Sequence, residues 1–341
     1  MQINGDLCHD TIIEKTRPVL TFDENKDFVE QKNKLKEQFI RLSGIDLIEE
    51  NSCPLNIDIE SVEKKDGYKI TRFTFESEIG AVVPCYLLIP DTGKKKYPVV
   101  ITLQGHSTGF HNSIGVAKFK GDEEDLPRVA FALQAVENGY AALAIEQRGM
   151  GETKPQKEKR LWGKMCSFTA QAAFLLGRTL IGERVWDVSK AIDALSNFSE
   201  CDTDKIMITG SSGGGTASYY SACYDERIKF CAPSCSFCPY KESILDIYHC
   251  ACNFIPSAYK YFDMQDLACL IAPRKLLIIT GREDIIFPIE GVKRGFNTVK
   301  KIYEKAGAPD NCKLVVTDKG HYWCPDVSWE NINQIFKNLS C

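Results

Sequence analysis

Gly210-Ser211-Ser212-Gly213-Gly214 constrains this chain more than any other stretch, because of what stands on either side. The apolar run Lys205-Ile206-Met207-Ile208-Thr209 before it reads as a buried strand, and Thr216-Ala217-Ser218-Tyr219-Tyr220-Ser221-Ala222-Cys223 after it reads as a helix. A G-x-S-x-G pentapeptide in that context predicts a nucleophile elbow. So sharp a strand-to-helix turn forces Ser212 into a strained backbone conformation. It also brings neighbouring chain against the positions two before and two after, where only Gly210 and Gly214 fit. Ser212 then stands at a helix N-terminus, with the Gly213 backbone N–H available to a developing oxyanion. The alternatives are a glycine-rich turn or a phosphate-binding loop. A Walker A loop needs Gly-Lys-Ser/Thr at its end, which is missing here.

A serine nucleophile needs a histidine to take its proton and an acid to orient that histidine, and behind an elbow these follow in the order acid, then histidine. The next strongly apolar strand, Lys275-Leu276-Leu277-Ile278-Ile279-Thr280, ends in Gly281-Arg282-Glu283-Asp284. An acid just past a strand's C-terminal end lies on the edge where open α/β sheets carry their sites. Asp284 is the candidate and Glu283 the fallback; the competing reading makes Asp284 a cap for the helix near Pro288. Of five histidines, only His321 follows Asp284. It sits in the loop Asp318-Lys319-Gly320-His321, beyond the strand Cys312–Thr317, from which the chain can fold back toward Ser212. The second oxyanion donor is expected after an earlier core strand, Pro98–Leu103, which runs into Gln104-Gly105-His106. Gly105 permits a tight turn there, so the backbone N–H of His106 is paired with that of Gly213.

With these stretches the chain resembles the α/β-hydrolases, nearest to the dienelactone hydrolase and acetyl xylan esterase-like branch of serine esterases. The matching segments are Pro84–Pro90, Leu103-Gln104-Gly105-His106, Glu146–Glu152, the elbow, Gly281–Asp284 and Gly320-His321. Two departures stand out: Gln-Gly where many relatives have His-Gly, and Glu146-Gln147 before Arg148-Gly149 instead of the more usual Asp plus an aromatic. The resemblance implies an α/β fold with a mostly parallel central sheet and helices on both faces. It also implies cleavage of a carboxylic ester through an acyl-enzyme by Ser212, His321 and Asp284, with no cofactor. A short acyl group, such as acetyl on a carbohydrate or small metabolite, is the leading substrate. The alternatives are a thioesterase, lactonase or acyl-peptide hydrolase with the same triad, or a non-catalytic binding protein of that fold.

Net charge is 42 minus 46, or −4, with no long basic stripe, which argues against nucleic acid as a partner. No window approaches 18 uncharged apolar residues, so no membrane span is expected. The start shows no signal-peptide pattern. Together with 15 cysteines, an odd number in a long chain, this points to reduced, mostly buried thiols in a cytoplasmic protein. Cys235-x-x-Cys238, with Cys231, His249, Cys250 and Cys252 near it, has half of a zinc pattern. The second half is no clean pair, and residues 240–252 read as a helix packed on a core, so no metal is assigned. A homo-oligomer is left open.

Residues 1–55 read as an N-terminal helical extension, with a helix over 26–43, and 56–341 as the catalytic domain. Strands are expected near 57–64, 68–76, 81–89, 98–103, 140–145, 205–210, 228–233, 275–280 and 312–317. From the fourth onward they alternate with helices near 127–138, 168–198, 214–223, 290–306 and 327–338, which implies a parallel sheet. The aromatic-rich insertion 234–270 is expected to form a small helical cap over Ser212, with most of its aromatics in the core.

Overall fold

The computed structural model describes residues 3–156 and 165–340. Nine strands are described: β1 (Asp58–Lys65), β2 (Tyr68–Glu78), β3 (Ala81–Pro90), β4 (Tyr97–Leu103), β5 (Ala141–Ile145), β6 (Cys201–Ser211), β7 (Ile228–Ser234), β8 (Lys275–Gly281) and β9 (Cys312–Thr317). They form one sheet in the order β1-β2-β3-β5-β4-β6-β7-β8-β9. The first three pair antiparallel, and β3 meets β5 antiparallel. From β5 to β9 every pairing is parallel.

Alternation along the central strands explains why both faces are covered. In β4, Val99, Ile101 and Leu103 belong to one buried cluster while Val100 belongs to the other. In β6 the same split separates Ile206 and Ile208 from Met207. In β8 it separates Leu276 and Ile278 from Leu277 and Ile279. A strand apolar on both sides needs a helix layer on each. One layer is supplied by the helices Phe28–Ser43, Leu180–Leu195, Gly213–Tyr224 and Ile289–Lys305, which contribute to the first cluster. The other comes from Phe131–Glu137 and Pro325–Ser340. Each fully buried Leu or Ile contributes about 1.5–3 kcal/mol to that adhesion.

Three departures from the sequence reading have local causes. The helix expected over 168–198 is two, Met165–Leu175 and Leu180–Leu195. Gly177 turns left-handed (φ +74°), and Thr179 caps the second helix by accepting from the Gly182 N–H. An additional helix, Leu7–Lys15, lies ahead of the expected one, with no buried residue. The insertion 234–270 carries short helical turns in place of longer helices. Its regular structure is limited to turns of three or four residues, and residues 240–252 do not form a helix. Phe237, Tyr240 and Phe262 are core residues that anchor it, whereas Tyr248 is exposed. The helix Phe28–Ser43 is tied into the main core through Leu35 and Phe39, whose ring stacks on Tyr220 at 5.6 Å.

The order of β5, β4 and β6 positions the site. The chain leaves β4 toward β5 on one side and later places β6 on the other. The loops after β4 and β6 therefore diverge above the C-terminal ends of adjacent parallel strands, where such sheets hold ligands.

Candidate active site

Ser212 connects β6 to the helix Gly213–Tyr224 with φ +57° and ψ −124°, a conformation that costs a non-glycine residue about 1–3 kcal/mol. The surroundings hold it there: its N–H donates to Ser234 O of β7 at 2.9 Å. The flanking glycines are required by contact with backbone. A Cβ on Gly210 would lie 2.4 Å from Leu103 O, and one on Gly214 would lie 2.1 Å from the same oxygen. The end of β4 is thus pressed against the elbow. Gly105 completes the contact, since a Cβ there would stand 2.9 Å from Ser211 O.

Asp284 sits in the turn after β8 and is buried. Its Oδ1 accepts from the N–H groups of Ile286 (2.8 Å) and Phe287 (3.1 Å), which fixes the carboxylate; its Oδ2 lies 2.9 Å from His321 Nδ1. Asp284 therefore caps its own turn as well as holding the histidine. Glu283 has no part in this pairing; it contributes backbone, its N–H donating to Lys319 O (3.0 Å). Arg282 N–H donates to Thr317 O, and a Cβ on Gly281 would fall 2.0 Å from Gly320 O. The loop bearing His321 is seated directly on the loop bearing Asp284. Phe287 stacks on the His321 ring at 5.9 Å and 20°.

Ser212 and His321 open into one cavity of about 380 Å³. Gln104, Gly105 and His106 form one wall, Asp125, Arg128 and Phe131 another, and Ile247–Cys250 of the insertion a third. The His106 N–H has no hydrogen-bond partner among the described residues. The His106 ring lies against the elbow, where a Cβ on Gly213 would be 3.0 Å from its Cε1.

Glu146 supports the loop after β4 from beneath. It is fully buried, with Oε1 accepting from Gln104 Nε2 (2.6 Å) and Oε2 from the N–H groups of Phe110 (3.3 Å) and Glu152 (3.1 Å). Burial outweighs these bonds and pushes its carboxyl up to about 7. Gln147 Nε2 donates to Gln104 O at 2.5 Å. The unusual Glu146-Gln147 pair is thus what clasps Gln104. One residue on, Arg148 binds Asp187 through two parallel bonds of 2.7 Å.

The cysteine pattern read from the sequence does not assemble. Cys231 is core in β7, Cys235 bonds Tyr322 O, and Cys238 abuts Gly291. His249 pairs with Asn253 (3.1 Å), and burial pushes its imidazolium down. Cys250 and Cys252 instead meet His106 and Cys166. For His106, burial acts downward, but hydrogen bonds with Cys250 and Cys252 outweigh it and raise the imidazole to about 9. Residues 247–250 belong to the insertion expected over Ser212, whereas no local spacing announces Arg128 as a cavity wall. No helix among the described residues is long and apolar enough to cross a membrane.

The chain is similar over 308 residues to a Bacillus subtilis (strain 168) protein named "Putative hydrolase YtaP", at 26% identity, covering 89% of this chain and 98% of that one. Among solved structures it resembles one described as a putative acetyl xylan esterase from Bacteroides fragilis, with TM-score 0.80 and 17% identity over 98% of this chain and 96% of that one. A glucuronoyl esterase from Solibacter usitatus gives TM-score 0.66 and 16% identity over 95% and 98%. These likenesses establish the expected α/β-hydrolase fold. The model of the Abhydrolase family matches residues 4–227, well over half of the chain and inclusive of the elbow, and the chain belongs to that family.

Proposed function

We propose that this protein is a serine hydrolase that cleaves a short-acyl carboxylic ester, the acyl group being acetyl or of similar size. One observation carries the reading: the Asp284–His321 hydrogen bond opens into the same cavity as a serine held in a strained elbow. Ser212 Oγ attacks the acyl carbon while His321 Nε2 takes its proton. Nδ1–H of His321 donates to Asp284 Oδ2, which fixes the tautomer and stabilises the imidazolium. The N–H groups of His106 and Gly213 receive the oxyanion. Collapse expels the alcohol with the proton from His321. Water, activated by the same imidazole, then attacks the acyl-enzyme and releases the acid.

Polar walls contributed by Gln104, Ser107, Asn112, Asp125 and Arg128 suit a hydroxylated alcohol moiety, and the carbohydrate esterases among the structural neighbours support the same choice. The unpaired cysteines suit a reducing, cytoplasmic setting. The test compares wild type with Ser212→Ala on p-nitrophenyl esters from acetyl to octanoyl, alongside fluorophosphonate labelling. Activity should fall with acyl length and vanish in the variant. Equal activity in both proteins, or a folded wild type that takes no label at Ser212, defeats the proposal.

A further inference from the structure

Four soft ligand atoms from three distant stretches meet at the edge of the cavity. His106 Nε2 and the Sγ atoms of Cys166, Cys250 and Cys252 all lie within 4.8 Å of one another. His106 comes from the loop after β4, Cys166 from the first turn of the helix Met165–Leu175, and Cys250 and Cys252 from the insertion. The three thiols are buried and none is in a disulfide. His106 Nε2 stands 3.1 Å from Cys252 Sγ, and Cys166 Sγ stands 3.1 Å from Cys250 Sγ. Zinc bonds of about 2.3 Å to sulfur and about 2.0 Å to nitrogen put tetrahedral ligands roughly 3.5–3.8 Å apart. The two closest pairs, at 3.1 Å, stand a few tenths of an ångström inside that range, and no pair is farther apart than 4.8 Å, so small side-chain shifts would admit the ion.

We propose that His106, Cys166, Cys250 and Cys252 bind one Zn²⁺ as a closed, four-coordinate structural site that fastens the loop after β4 to the insertion. Three cysteines and a histidine are an established structural donor set. A disulfide between Cys166 and Cys250 would employ only two of the four groups. A second observation favours the ion. Three thiolates around Zn²⁺ leave a net charge of about −1. The fully buried Arg184, whose Nη1 has no hydrogen-bond partner, would supply a buried positive charge to balance it. Binding would release the thiol protons. With all four positions filled by protein, the ion holds no substrate. Its consequence is positional, because the backbone of His106 is the oxyanion donor named above. That consequence rests on the ester-hydrolase reading; the metal site does not.

The full chain is purified under reducing, chelator-free conditions, stripped of metal, and repleted separately with Zn²⁺ and Co²⁺. Expected are roughly one ion per chain surviving dialysis, thiolate-to-cobalt charge-transfer absorption with tetrahedral d–d bands, and a higher melting temperature on repletion. His106→Ala and Cys252→Ser should lose the ion, while Cys312→Ser, outside the cluster, retains it. Should those variants fold poorly, the wild-type cobalt spectrum decides alone. Less than a tenth of an ion per repleted wild-type chain, a cobalt spectrum without thiolate bands, or a Cys166–Cys250 disulfide in the reduced preparation overturns the site. Metal-loaded protein that takes no fluorophosphonate label would refute the esterase reading and leave the zinc site standing.

Discussion

Replacing Arg148 by methionine tests how the floor of the site is held. Its largely covered guanidinium lies between Glu78 of β2 and Asp187 of the helix Leu180–Leu195. Nε and Nη2 each reach Asp187 at 2.7 Å, Nη2 reaches Ser77 Oγ at 3.0 Å, and Nη1 reaches Glu78 at 2.5 Å. The two acids face different fates without it. Burial pushes the Glu78 carboxyl up, but Arg178, Asn51 and Arg148 together hold it down near 2, and without Arg148 it keeps Arg178 and Asn51, each at 2.9 Å. Asp187, only 2% exposed, keeps Ser77 Oγ alone. Removing one partner of a buried ion pair costs about 3–5 kcal/mol, mostly because the other charge is left uncompensated. Arg148→Met should therefore lower the urea midpoint by an amount equivalent to about 4 kcal/mol at unchanged m-value. Arg148→Met/Asp187→Asn should recover a large part of that loss, since the orphaned charge is gone. A single-variant loss below about 1 kcal/mol, or a double variant no better than the single, refutes the reasoning.

Asp284→Asn keeps an Oδ1 acceptor for the turn but cannot accept from His321, so kcat on p-nitrophenyl acetate should fall about 10³–10⁴-fold with little change in melting; a loss under tenfold removes Asp284 from the mechanism. Gly214→Ala, which in an open helix gains about 1 kcal/mol, should instead destabilise strongly because its Cβ would meet Leu103 O at 2.1 Å; an unchanged melting temperature contradicts that contact. Glu146 is protonated more readily folded than unfolded, so its stabilising contribution is complete below about 4.5 and is lost as pH rises through about 7. Wild type should accordingly lose up to about 3 kcal/mol relative to Glu146→Gln across that window, measured by urea titration at each pH; parallel pH curves for the two proteins would show that Glu146 does not titrate there.

Periodicity made the sheet legible. Val99, Val100 and Ile101 read as a continuous apolar run because the two core layers claim alternate residues. The elbow was legible because close approach of Leu103 O to Gly210 and Gly214 demands glycine, a demand visible in one dimension. The insertion was legible in part: Ile247–Cys250 line the cavity with Ser212, and Phe237, Tyr240 and Phe262 are core, but the helices between them are only short turns. The meeting of His106 with Cys166 and Cys252 was not readable, since it depends on three distant segments converging rather than on spacing along one. Cys235-x-x-Cys238 had the more suggestive spacing, but β7 and the turn after it send the two thiols to different neighbours.

The sheet order also sets a timetable. β9 pairs only with β8, and the loop it carries is seated on Gly281 and Glu283. During synthesis the elbow can be braced as soon as β7 offers Ser234 O, but His321 has no seat until β9 docks on β8. On the proposed mechanism, a nascent chain therefore owns its nucleophile long before it owns a base. On that mechanism, turnover is a readout of the last strand's arrival, and peeling β9 from the edge of the sheet would unseat the base.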